Sequence, residues 1–240
     1  MLLGQVKAGK SSFINTVATI DRNRMAQVTR AGAADGSLTN ELKEYRPRDA
    51  LKKICILDTM GLETNMSGLN VKDIPYLVHG NICPGYKFNP ASPISPKSDY
   101  YRSDPKMCDK VNCVVYVVDA NILGQDNVSG ETKQIVKDVH AELSPEDIAT
   151  FVVLTKIDVL CQSVATNVTN IYTSEKVKQA VNLAVELYKV PKQNIFPVKN
   201  YEHESAKNIN AEILILLALR QMVNFGTDFL NHGTGFSSRF

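Results

Sequence analysis

The sequence predicts an α/β fold in which a mostly parallel central sheet is flanked by helices on both faces. Three observations carry that expectation. Short β-rich apolar runs alternate with longer helical patterns along the 240 residues, as successive βαβ units require. A glycine-rich string, GQVKAGKS at residues 4–11, stands between an apolar start and a helical pattern. Two more short polar strings, DTMG at 58–61 and TKID at 155–158, each follow directly on an apolar run.

The buried strands are expected at Ile54–Leu57 (ICIL), Cys113–Val118 (CVVYVV), Phe151–Leu154 (FVVL) and Asn194–Val198 (NIFPV). Only Met1, Leu2 and Leu3 precede Gly4, a first strand so stunted that the chain reads as part of a longer protein. Helical patterns run over Ser11–Thr19, Glu131–Glu142, Ser174–Lys189 and Ile209–Leu230. In the last, Ile213, Leu216, Leu217 and Arg220 keep i, i+3, i+4 spacing, which puts that stripe against the sheet. Two segments break the rhythm. Residues 21–42 are polar and read as a mobile loop. Residues 62–110 hold six of the ten prolines and form a long insertion, and loops of that length are usually functional or disordered. Residues 1–240 are expected to form one domain, with 44% hydrophobic residues enough for a proper core.

Composition excludes several classes. A net charge of +2 gives no global electrostatic case for nucleic acid. Five cysteines, odd in number and without a C-x-x-C pair, favour reduced thiols over a disulfide framework or a zinc site. No export signal opens the chain, and the most apolar run, ILILLAL at Ile213–Leu219, is interrupted by Arg220 and too short to span a bilayer. The chain is therefore expected to be cytoplasmic, with the N-x-S/T strings at Asn65, Asn127 and Asn167 coincidental.

The polar strings carry the chemistry. Gly4, Gly9, Lys10 and Ser11 fit the phosphate-loop pattern G-x-x-x-x-G-K-S/T. Such a loop wraps backbone N–H groups, here around Lys7, Ala8, Gly9 and Ser12, about the phosphates, and the helix N-terminus adds positive potential. Lys10 would reach the β- and γ-phosphates and Ser11 would ligate Mg²⁺. Thr39 is the candidate to complete the Mg²⁺ shell, with Thr29 nearby and a turn-capping role as alternatives. Asp58, at a strand's end, suits the metal's water shell, while Gly61 lets a backbone N–H approach the γ-phosphate. The string Thr155-Lys156-Ile157-Asp158 resembles the N/T-K-x-D element of guanine-nucleotide-binding proteins. There the Asp158 carboxylate would accept from guanine N1–H and the exocyclic amine, donors that adenine does not offer. Lys156 would lay its methylene stem along the purine face.

With these elements in order, the chain resembles a TRAFAC-type P-loop GTPase domain, with the insertion 62–110 after the third motif. More narrowly it resembles the interferon-induced protein 44 family, in particular its 44-like members, through GKSSFINTV, DTMGLE, GYKFNPASPIS with DYYRSDP, TKIDVL, IFPVKNY and ILILLALRQMVNF. The resemblance implies GTP or GDP with Mg²⁺ as ligands, Lys199 and Asn200 in the loop near guanine O6, and a cytosolic, interferon-inducible protein linked to antiviral and immune responses. It also implies additional sequence before the domain in longer members.

Turnover is a separate matter. Small GTPases place a water-orienting glutamine after D-x-x-G; here Leu62 stands there, and Glu63 would repel a γ-phosphate. A weak GTPase switch is one expectation. The other is a nucleotide-binding structural or assembly protein without turnover, while an ATP-dependent enzyme is disfavoured by TKID. Lys7 sits where an activating cation or a dimer contact would act, with a solvated surface lysine as the equal alternative. The insertion is the expected surface for a homodimer or another protein partner.

Overall fold

The computed structural model describes residues 1–29, 39–63, 67–124 and 128–233. Part of the expected mobile loop (30–38), part of the insertion (64–66), the chain's end (234–240), and the N-x-S/T positions Asn65 and Asn127 lie outside the described residues.

A six-stranded sheet runs in the order β2-β3-β1-β4-β5-β6. Its strands are β1 (Leu2–Leu3), β2 (Lys43–Tyr45), β3 (Ile56–Asp58), β4 (Cys113–Asp119), β5 (Ala149–Thr155) and β6 (Ile195–Pro197). All neighbours are parallel except β2, which pairs antiparallel with β3 at the edge. The central strands are nearly continuous β-branched runs because both of their faces are covered, as parallel sheets demand. Val114, Val117, Phe151, Val152 and Leu154 are all fully buried.

The helices are α1 (Lys10–Asp21), α2 (Ile74–Val78), α3 (Ala120–Gly124), α4 (Gly130–Leu143), α5 (Ile157–Leu160), α6 (Gln162–Thr166), α7 (Glu175–Tyr188) and α8 (Ile209–Gly233). Ser129 caps α4 by accepting from the Thr132 N–H, and Ser174 caps α7 by accepting from the Val177 N–H, the usual role of serine at a helix start. Asp21 ends α1 and turns its carboxylate onto the N–H groups of Arg48, Asp49 and Leu51, tying the stretch before β3 to the helix.

Four expectations change on contact with the structure, besides the strand expected at Ile54–Leu57, which runs over Ile56–Asp58 instead. Strand β2 comes from KEY at 43–45, polar on every residue but one, because it is an edge strand with only Tyr45 half-buried. Near Asn194 the chain makes a short 3-10 turn over Lys192–Asn194, so the last strand starts one residue later than expected. The stripe of α8 that packs inward is Ala211, Leu214, Ile215, Ala218, Leu219 and Met222. The expected stripe points the other way: Ile213, Leu216 and Arg220 are exposed. Both registers satisfy the same spacing in so apolar a helix. The one that wins keeps arginine out of the core and puts alanines against the sheet. Over Ile209–Asp228 this helix has the length and mean hydropathy, 1.2, of a membrane span by composition alone, yet it lays its inner face on the sheet.

The insertion is the fourth case. It packs as part of the core, burying Leu69, Ile74, Leu77, Ile82, Phe88 and Ile94. Asp73 is fully buried, takes a hydrogen bond from the Ile94 N–H at 2.7 Å on one oxygen, and leaves the other oxygen without a partner. Burial pushes this carboxyl up to about 6. Between its ordinary value near 4 and about 6 the folded chain therefore holds a proton that the unfolded chain has released, so stability falls as pH rises through that window. Relative to Asp73→Asn, the wild type should lose up to about 3 kcal/mol between pH 4 and pH 7; urea unfolding at several pH values reads the difference, and parallel curves would contradict it.

Candidate nucleotide-binding site

The site gathers where four loops leave the carboxyl ends of β1, β3, β5 and β6. The loop after β1 begins at Gly4, where the chain passes so close to β4 that an added Cβ would lie 2.2 Å from the Val117 carbonyl oxygen. No other residue fits there. The loop then turns through Lys7, which is exposed with φ 63°, and Gly9, with φ 97°, into α1. Left-handed backbone at these positions curls the loop on itself, and Gly9 adopts it without the Cβ penalty. The Ala8 N–H closes onto the Gln5 carbonyl at 3.2 Å. Gly9 caps α1 without a side-chain hydrogen bond, so the first turn over Lys10, Ser11 and Ser12 presents N–H groups that have no acceptor inside the helix.

Lys10 is buried, and its ammonium donates to the carbonyls of Gly4 at 2.8 Å and Gln5 at 3.1 Å. Burial pushes its pKa down to about 8, against the pull of the Asp58 and Glu63 carboxylates. It remains charged at neutral pH. Gly4 carries a second burden, because its carbonyl also accepts from the Leu62 N–H at 3.0 Å. That bond, with a parallel bridge between Gln5 and Leu62, lashes the D-x-x-G segment to the phosphate loop.

Asp58 ends β3 and is 1% exposed. Burial raises its pKa to about 6, opposed by the Lys10 and Lys43 charges and the Thr39 hydroxyl. Neither carboxylate oxygen has a full hydrogen-bond partner. A buried carboxylate this short of donors is costly unless something cationic completes it, and the hydroxyl of Thr39, also buried, is the donor beside it. This is the donor set a hard divalent cation prefers: a carboxylate plus hydroxyls, with waters filling the rest. Ser11 stands on the same loop, and its carbonyl accepts from the Thr29 hydroxyl at 3.0 Å. Thr29 is thus turned back onto α1 and Asn15, and Thr39 is the threonine next to Asp58.

Thr155 ends β5 fully buried, donating to the Ala8 carbonyl at 2.6 Å and sharing its hydroxyl with the Val118 carbonyl at 3.2 Å. It clamps the phosphate loop to the centre of the sheet. Lys156 follows in left-handed conformation, φ 56°, and Asp158 is half-buried in the first turn of α5, with the Lys199 ammonium 3.7 Å away. Lys199 is held more tightly by Glu204, at 3.0 Å. Asn200 reaches the Gly9 carbonyl at 3.4 Å, and the Tyr201 N–H donates to Thr16 on α1. The structure thus brings every singled-out residue to one end of the sheet. Gly61 packs there too, its missing Cβ leaving room for Val6.

Sequence reasoning missed Asp119 and Glu204, which partner Lys156 and Lys199. Neither lies in a motif, and only the register pairing of Asp119 with Thr155 brings the first one near.

No family model matches the chain. It is 32% identical over 235 residues to human interferon-induced protein 44-like, covering 96% of this chain and 52% of the relative. Mouse interferon-induced protein 44 is 27% identical over 235 residues, with 96% of this chain and 55% of the relative covered. The chain therefore spans about half the length of the curated relatives it matches. Among solved structures, a dimerization-deficient mutant of Toc33 from Arabidopsis thaliana aligns with a TM-score of 0.53 at 17% identity, over 95% of this chain and 83% of that one. A probable GTP-binding protein, engB, aligns over 96% and 97% with a TM-score of 0.47 and 14% identity. The likeness to Toc33 and the sheet order establish an α/β P-loop NTPase fold.

Leu62 gives the site its clearest test. It is 4% exposed in the core, with its N–H committed to Gly4. Leu62→Gln would bury an amide there, and should lower stability by about 1–3 kcal/mol without increasing phosphate release from added GTP over the wild-type chain. A faster phosphate release by the variant would show that the side chain can leave the core.

Proposed function

We propose that this chain, which resembles the interferon-induced protein 44 family over nearly its whole length, binds a guanine nucleotide through the site just described. The observation that carries the reading is the junction of a phosphate loop, closed by a buried lysine, with an aspartate at the base end of the same sheet edge. Lys10 and the first-turn N–H groups of α1 would take the phosphates. Ser11, Thr39 and Asp58 would hold a Mg²⁺ ion, the last through water, and the ion would neutralise phosphate charge. Asp158 would read the guanine edge, with Lys156 across the ring and the loop at Lys199 and Asn200 closing the far side.

The protein acts as a nucleotide-dependent switch or assembly unit with slow turnover. The buried Leu62 favours slow over rapid hydrolysis, since an apolar side chain held in the core cannot orient water. Its cellular setting is the cytoplasm and its context the interferon-linked antiviral response, as the resemblance implies. Tyr100 and Met107, large apolar side chains exposed on the insertion, are the surface through which residues 62–110 would meet a protein partner or a second copy.

Two substitutions test the reading. Lys10→Ala should reduce GTP binding by at least about a hundredfold, because it strips the countercharge from the phosphates; calorimetry showing wild-type affinity would contradict the site. Asp158→Asn should weaken GTP and favour xanthosine nucleotides, whose extra carbonyl accepts from the new amide. Retained guanine preference in competition binding would assign base reading to another residue.

A further inference from the structure

We infer that Asp119 is a positioning residue of the base-binding end: its carboxylate anchors the Lys156 ammonium at the tip of β4, so that the lysine presents its methylene stem rather than its charge to a purine. The inference rests on the guanine-nucleotide reading above and adds to it a residue outside all of the motifs.

The placement begins in the sheet. β4 and β5 run parallel in register, with Asp119 opposite Thr155, so the last residue of one strand lies beside the first residue beyond the other. The Lys156 ammonium meets one Asp119 oxygen at 2.7 Å. The other oxygen accepts from the Asn121 backbone N–H at 2.9 Å and from its side-chain amide at 2.7 Å, and that same amide reaches the Lys156 carbonyl at 3.4 Å. Both oxygens are thus held, and the carboxylate cannot rotate away from the lysine. The Asp119 side chain is only 17% exposed, against 37% for Lys156.

A free lysine has many rotamers, and ordering one on binding costs affinity. An ion pair this exposed adds little to folding stability by itself. Its consequence is preorganisation. Anchored at its tip, the side chain is already ordered before a ligand arrives. A second effect concerns Asp158. An unanchored Lys156 ammonium, two residues away, could neutralise the carboxylate that must accept from the base. With Lys156 held by Asp119, and Lys199 held at 3.0 Å by Glu204 against 3.7 Å from Asp158, both lysines of this pocket have a nearer carboxylate than Asp158. The reading carboxylate stays available for a ligand's donors.

The test compares binding of GDP and of inorganic pyrophosphate, both with Mg²⁺, by calorimetry on the whole chain. Pyrophosphate occupies the phosphate loop and lacks a base. Asp119→Asn should weaken GDP about fivefold and leave pyrophosphate unchanged, and Asp119→Glu should recover part of the loss. In a Lys156→Met background, Asp119→Asn should cost nothing more. Should Asp119→Asn fail to fold, Asn121→Ala frees the anchoring carboxylate without replacing it and should show the same base-side loss. Unchanged GDP affinity, or an equal loss for pyrophosphate, would overturn the inference alone. A wild-type chain that binds pyrophosphate but no GDP would overturn the guanine reading and this inference with it.

Discussion

The buried ammonium of Lys10 is the constraint on which the site depends. It lies out of water, with two backbone carbonyls of its own loop as acceptors and two carboxylates nearby. A charge in that position is tolerated only while the loop stays curled around it, so the lysine and the loop specify each other. The Gly4 carbonyl that receives it also receives the Leu62 N–H, and this couples the phosphate loop to the segment that follows β3. The close approach of Gly4 to β4 makes the arrangement possible. A side chain there would push the loop off the sheet and leave the ammonium without its acceptors.

From that centre the site is built by hydrogen bonds that cross between loops. Thr155 ties the Ala8 carbonyl to β5, Asn200 reaches Gly9 from beyond β6, and the Tyr201 N–H closes on Thr16. Each bond joins residues far apart in sequence, and each can form because parallel strands deliver their carboxyl ends to one edge. The loop after β1 and the loops after β5 and β6 are in this way held at a set separation by the sheet itself. Two carboxylates, Asp119 and Glu204, then settle the lysines between them.

Much of this was legible in the residues. Strands β3 to β5, helices α1, α4 and α7 and the phosphate loop carry strong local signals, because buried strands must be apolar and the loop needs glycine where it meets β4 and favours it where the backbone enters α1 left-handed. What was not legible has physical reasons. The edge strand β2 buries almost nothing, so KEY reads as loop. Helix α8 is apolar on more than one face, and spacing alone selects the wrong one; only the cost of burying Arg220 discriminates. The insertion's prolines suggest an unstructured loop, yet its apolar residues between them fill a core, and Asp73 buys order there by accepting from Ile94. Asp119 is invisible to motif reading because its partner is set by strand register.

Leu62 bears on what such a site can do. A water-orienting side chain must reach beyond the γ-phosphate into solvent, and this one is sealed in the core, with its backbone spent on Gly4. Freeing it would break the bridge to Gln5 and loosen the same carbonyl that steadies Lys10. Glu63 next to it is a poor substitute, since its charge opposes that of a phosphate; it accepts from the Ser67 hydroxyl instead. The contact that ties Leu62 to Gly4 is therefore the one that keeps its side chain in the core, and under the proposed function a partner able to accelerate turnover would have to bring its own water-orienting group.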